Sequence, residues 1–224
     1  MALNRRDFLK LCAGGAATIS MSGYLAPFLK EAIAAENPAV IWLQGASCTG
    51  CSISLLNTVH PDIKEVLLNV ISLKYHPNVM GAAGELAMET MQKTAEEKAG
   101  QFYLVVEGAV PVKDEGLYCT IGETHDGQPI TFASLVQELG QKAAAVLSVG
   151  TCSAYGGIPA ADPNPTGCVP VSEILQGKTI INIPGCPPHP DWIVGTIAHI
   201  LLYKDLPELD KFGRPTMFFG GIIH

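Results

Sequence analysis

The residues best suited to chemistry are cysteines set among glycines and prolines. One pair sits in Cys48-Thr49-Gly50-Cys51, and two singles follow in Gly150-Thr151-Cys152 and Gly185-Cys186-Pro187-Pro188. Thiolate is a soft ligand, suited to iron–sulfur clusters and to tetrahedral zinc. The glycines let backbone approach closely and offer N–H groups to a bound sulfur, and Pro187 and Pro188 stiffen the last loop. A structural zinc site more usually draws on two close cysteine pairs, whereas this chain has one pair and two singles. A strand, a C-x-x-C and a helix are also the layout of a thioredoxin-like thiol–disulfide site, a reading that leaves Cys152 and Cys186 without a task. At the level of residue type all three chemistries stay open.

The elements that must position these cysteines can be read from apolar runs. Ala39 to Gly45 reads as a buried strand closed by glycine, with a helix from Ser52 to Val59. Ile63 to Leu73 is expected to contain a second strand, because Val66, Leu67, Leu68, Val70 and Ile71 run too continuously for an exposed face. Glu85 to Lys98 favours a helix. Phe102 to Val106 makes a third strand, followed by a loop containing Cys119 and a helix from Phe132 to Leu139. Ala144 to Val149 is a fourth strand and Thr179 to Ile183 a fifth, separated by a proline- and glycine-rich loop from Gly156 to Val171. Asp191 to Tyr203 is the last helix. Strands alternating with helices indicate an α/β fold, a doubly wound parallel sheet covered on both faces. In such sheets ligands bind beyond the carboxyl ends of the strands, where Cys48 and Cys51, Glu107, Cys152 and Cys186 all fall.

Charge and composition narrow the classes. A formal net charge of −7, with only 16% charged residues, argues against a nucleic-acid partner, whose footprint is basic and clustered. The low charged fraction and positive mean hydropathy suggest that part of the exterior is covered by a partner subunit. Seven cysteines is an odd number, which metal ligation would explain; loss of Cys12 with a leader, leaving three disulfides, is the alternative. At the N-terminus, Arg5-Arg6 precedes an apolar stretch from Leu11 to Leu29 and the small residues Ala32-Ile33-Ala34. That pattern resembles a twin-arginine export signal over residues 1–34, the mature protein beginning near Ala35 in the periplasm. The stretch is too rich in Gly, Ser and Thr for a good membrane anchor, and peripheral membrane association stays open.

The motifs taken together resemble the small subunit of nickel–iron hydrogenases. The likeness is carried by Ile41-Trp42-Leu43-Gln44 leading into Cys48-Thr49-Gly50-Cys51-Ser52, then Val106-Glu107-Gly108, Gly150 to Gly157, and Pro184-Gly185-Cys186-Pro187-Pro188-His189-Pro190. Val70 to Met80 and Tyr118 to Glu123 look nearest to the nickel–iron–selenium branch. The resemblance implies a flavodoxin-like domain over residues 35–205, in which Cys48, Cys51, Cys152 and Cys186 hold a proximal [4Fe–4S] cluster. It implies a large subunit bearing the nickel–iron centre, where H2 is converted to two protons and two electrons or the reverse. This chain would relay the electrons to an acceptor such as a cytochrome and would be inactive alone. Respiratory complex I has a similar subunit, but its first motif typically shows adjacent cysteines, whereas Thr49-Gly50 separates Cys48 from Cys51.

The chain also departs from the family it resembles. Gly50 and Gly157 occupy positions where oxygen-tolerant members carry extra cysteines, and Ser47 stands where many have a glutamate. Residues 206–224 look like the start of a second domain. His224 would there be a distal-cluster ligand, with medial and distal clusters expected only in a longer chain. Glu107 is expected either beside the cluster or as a solvated loop acid. His189, after two prolines, is expected to cap a helix. Cys119 and Cys168 are expected as free or buried thiols or a mutual disulfide, and His60, His76, His125 and His199 as ordinary surface or partly buried residues.

Overall fold

A computed structural model describes residues 37–124 and 126–220. The expected export signal at 1–34, His125 and the expected ligand His224 lie outside the described residues.

The chain runs β1 (Ala39–Gln44), α1 (Gly50–Leu56), β2 (Ser72–Tyr75), α2 (Gly84–Glu97), β3 (Tyr103–Glu107), β4 (Val110–Pro111), β5 (Thr120–Glu123), β6 (Pro129–Thr131), α3 (Phe132–Lys142), β7 (Ala145–Val149), α4 (Thr151–Tyr155), β8 (Cys168–Val169), β9 (Ile180–Ile183) and α5 (Pro190–Tyr203). Five strands form a parallel sheet in the order β2-β1-β3-β7-β9. Counting only these five, the order is 2-1-3-4-5, the flavodoxin-like arrangement, whose strand order reverses between β1 and β3.

Both faces of the sheet are buried, so the strands read as nearly continuous apolar runs. Alternate residues serve opposite layers: Ile41, Leu43, Leu104 and Val106 pack under α2 and α3, while Val40, Trp42, Val105 and Leu147 pack under α5. Each such side chain contributes about 1.5–3 kcal/mol by leaving water. Thr131 caps α3 by accepting from the Ser134 amide at 3.2 Å. His189 caps α5, its Nδ1 accepting from the Asp191 amide at 3.3 Å, as expected for that position.

The apolar run at 66–71 is not a strand. Ile63–Glu65 is helical, Val66–Val70 continues as a π-helical turn, and the strand begins only at Ser72. The buried pair is Val66 and Val70, spaced i,i+4 as on a helix, while Leu68 between them is 65% exposed. The loop around Cys119 also holds a β5–β6 hairpin, and the Gly156–Val171 loop contributes β8, paired antiparallel with β4. Residues after Lys204 fold back on the sheet. The Asn182 backbone N–H donates to the Gly213 carbonyl at 2.7 Å, and Trp192 meets the ring of Phe219 edge-on at 4.9 Å.

Candidate metal centre

Sheet register sets the height at which each loop departs. Gln44 pairs with Glu107, Glu107 with Val149, and Val149 with Ile183, so four strands end level. The loops bearing Cys48 and Cys51, Cys152 and Cys186 leave from that common edge, with the β1/β3 reversal beneath the first of them. Cys51 lies in the first turn of α1 and Cys152 in α4, both half-buried, whereas Cys48 and Cys186 are exposed. The Ser54 hydroxyl donates to the Pro188 carbonyl at 2.6 Å and ties α1 to the Cys186 loop. The Thr151 hydroxyl accepts from the Gly185 amide at 3.1 Å and ties α4 to the same loop.

Glycine makes room for the sulfurs. Gly150 has φ 91° and a Cβ there would strike Cys51 Sγ; Gly157 has φ 57° and its Cβ would lie 2.8 Å from Cys152 Sγ. A Cβ on Gly50 would lie 3.1 Å from Cys48 Sγ. Thr49, by contrast, is a β-branched residue held at φ 68°, a conformation that such side chains rarely adopt.

Burial sets the electrostatics of Cys51. Burial pushes its thiol far above the ordinary range, and Glu107 and then Cys152, Cys48 and Cys186 push the same way. Burial also raises Cys152. A thiol–disulfide enzyme needs its C-x-x-C thiolate stabilised, and a carboxylate behind Cys51 does the opposite. A bound cationic centre inverts this logic and holds thiolates deprotonated. Among the described residues no three His, Cys, Asp or Glu side chains close around a single metal ion. Four thiols that influence one another across one edge have the donor chemistry of an iron–sulfur site.

Behind Cys51 the structure places residues whose importance the sequence did not reveal. Glu107 is 1% exposed, which overturns the solvated-acid alternative. Its Oε1 accepts from the Cys51 amide at 3.1 Å, and its Oε2 from Trp42 Nε1 at 3.1 Å and from the Ser52 hydroxyl at 2.5 Å. Ser52 Oγ lies 3.3 Å from Nε2 of His76, which is 1% exposed and stacked near Trp42 at 5.2 Å. His76 is therefore not the ordinary surface or partly buried residue expected. It follows β2 directly, at the same carboxyl edge as the cysteines, a position hidden as long as the second strand is drawn at 66–71. Cys119 and Cys168 are free thiols, the first half-buried and the second buried.

Comparison with known proteins decides the family. A family model described as NADH ubiquinone oxidoreductase, 20 Kd subunit, matches residues 48–200. The periplasmic [NiFeSe] hydrogenase small subunit of Desulfomicrobium baculatum is 49% identical over 100% of this chain and 76% of its own length. This chain belongs to the nickel–iron hydrogenase small subunits. The hydrogenase-2 small chain of Escherichia coli K12 is 44% identical over 99% of this chain, which spans 58% of that relative. The reduced, active Ni-Fe-Se hydrogenase structure from D. baculatum superimposes with a TM-score of 0.80 at 50% identity, covering 84% of this chain and 73% of that one. Cys48, Cys51, Cys152 and Cys186 all lie within the stretch that the family model matches.

Proposed function

We propose that this chain is the electron-transfer small subunit of a periplasmic [NiFe] or [NiFeSe] hydrogenase, holding a proximal [4Fe–4S] cluster on Cys48, Cys51, Cys152 and Cys186. The observation that carries the reading is that three segments distant in sequence, bearing the four cysteines between them, leave one level sheet edge. The cluster, when bound, supplies a one-electron store between a hydrogen-activating centre and an acceptor. The chain's own residues do the rest. The glycines at 50, 150 and 157 leave room for sulfur, Ser54 and Thr151 hold the Cys186 loop in place, and the buried wall behind Cys51 excludes water.

The hydrogen-splitting centre belongs to a large-subunit partner, which would cover the exposed edge. Ile53, Tyr155 and Ile158 stand beside the cysteine loops at 52%, 45% and 80% exposure, an apolar rim suited to such a cover. The remaining parts of the reading are twin-arginine export through residues 1–34, a cluster domain at 35–205, and 206–224 as the start of a further cluster-bearing region with His224 as a ligand. Relay onward to a cytochrome-type acceptor completes it.

The test is iron, acid-labile sulfide and zinc analysis of anaerobically purified protein, with electron paramagnetic resonance after dithionite reduction. The expected result is about four irons and four sulfides at this site, lost in Cys186→Ser. An iron-free protein that resists reconstitution and cycles a Cys48–Cys51 disulfide would overturn the proposal in favour of thiol–disulfide exchange.

A further inference from the structure

The hydrogen bonds behind Cys51 have only one consistent direction. His76 Nδ1 accepts from the Asn78 amide at 3.1 Å, and a backbone N–H can only donate, so Nδ1 carries no proton. The ring is then neutral, with its proton on Nε2, and that proton points at Ser52 Oγ. Burial lowers the His76 pKa to about 4, in keeping with a neutral ring. Because Ser52 Oγ accepts from His76, its own hydrogen goes to Glu107 Oε2, where the Trp42 N–H also arrives. The other carboxyl oxygen accepts from the Cys51 amide. Three donors, the Cys51 N–H, the Trp42 N–H and the Ser52 hydroxyl, end on Glu107, and the carboxylate is an acceptor on both oxygens.

We propose that His76 and Ser52 are positioning residues that lock the Glu107 carboxylate against the Cys51 backbone, so that a fixed negative charge lowers the reduction potential of the cluster. This rests on the proposed ligand set. Two effects act in the same direction. A buried anion opposes the arrival of an electron on the neighbouring cluster, and it does so with little screening. Glu107 also engages the Cys51 N–H, which is thereby withheld from sulfur, and hydrogen bonds to cluster sulfurs tune the potential. Without His76, the Ser52 hydroxyl loses the donor that fixes the direction of its own hydrogen. The carboxylate then loses a donor, and its single orientation with it.

The experiment is a redox titration of the cluster-loaded chain in complex with its large-subunit partner, followed by electron paramagnetic resonance, as a double-mutant cycle. Glu107→Gln removes the charge and keeps the shape, and should make the cluster at least about tenfold easier to reduce, 59 mV for one electron. His76→Phe should shift the potential in the same direction by less, and should add little in the Glu107→Gln background. Ser52→Ala, which removes a single hydroxyl, runs the same cycle with almost no change of core volume. No shift, a shift of opposite sign, or an equal shift in both backgrounds, with iron content intact, would overturn the inference. Loss of iron-binding capacity in the parent protein would instead overturn the ligand set.

Discussion

The two halves of the cysteine cradle are built differently. Cys51 and Cys152 are half-buried and sit in helices seated on the sheet, with Trp42, Glu107, Ser52 and His76 packed and hydrogen-bonded behind Cys51. Cys48 and Cys186 are exposed, on loops held by glycine, proline and two hydroxyl ties. The rear half is made by the fold itself. The front half is exposed, and substitutions in the two halves should therefore report on different properties.

Trp42→Ala attacks the rear half most severely. Trp42 is 1% exposed and among the largest fully buried side chains, so its loss should cost about 3–5 kcal/mol by urea unfolding. The acid limb of stability should come from the same half. In the unfolded chain His76 binds a proton near pH 6.5, and in the folded chain only near about 4. The unfolded state therefore holds more protons between these values. Stability is complete above pH 6.5 and falls by about 3 kcal/mol as the pH drops to 4. His76→Phe should flatten that limb in urea titrations at stepped pH.

Gly150→Ala probes the packing within the rear half, between the Cys152 segment and Cys51. At φ 91°, with a Cβ driven into Cys51 Sγ, it should cost about 1–3 kcal/mol and lower iron content together with Tm. Ile158→Ser changes only a side chain of the exposed apolar rim and should change stability by less than about 0.5 kcal/mol. Its effect should appear as weaker large-subunit association in size-exclusion profiles. A large loss of Tm in Ile158→Ser, or none in Trp42→Ala, would erase the distinction between exposed rim and buried wall.

Much of this architecture was legible in the sequence because buried parallel strands announce themselves as short apolar runs ended by glycine. β1, β3, β7 and β9 were readable in that way, and the four cysteines and Glu107 lie at or just beyond their carboxyl ends. The same rule failed at 66–71, where apolar continuity concealed an i,i+4 helical pair in Val66 and Val70. With the strand misplaced, His76 no longer stood at a strand end, and nothing else in its local sequence marked it. The β5–β6 hairpin was missed for a different reason: Thr120–Glu123 has an exposed and half-buried pattern with little apolar signal. Ser52 could not be singled out at all, since its role comes from a contact with Glu107 across 55 positions of sequence.

The level ends of β1, β3, β7 and β9 make the cradle a matter of tolerance. Each cysteine loop starts from a datum shared with its neighbours, and a strand advances about 3.3 Å per residue. A one-residue slip of β7 would displace Cys152 alone by that distance and exchange the faces to which the strand's side chains point. The amino ends of the strands, at the far edge of the sheet, carry no such demand. Insertions should therefore be absorbed at one edge of the sheet and not at the other, and the precision of the cysteine cradle is inherited from backbone register before any ligand arrives.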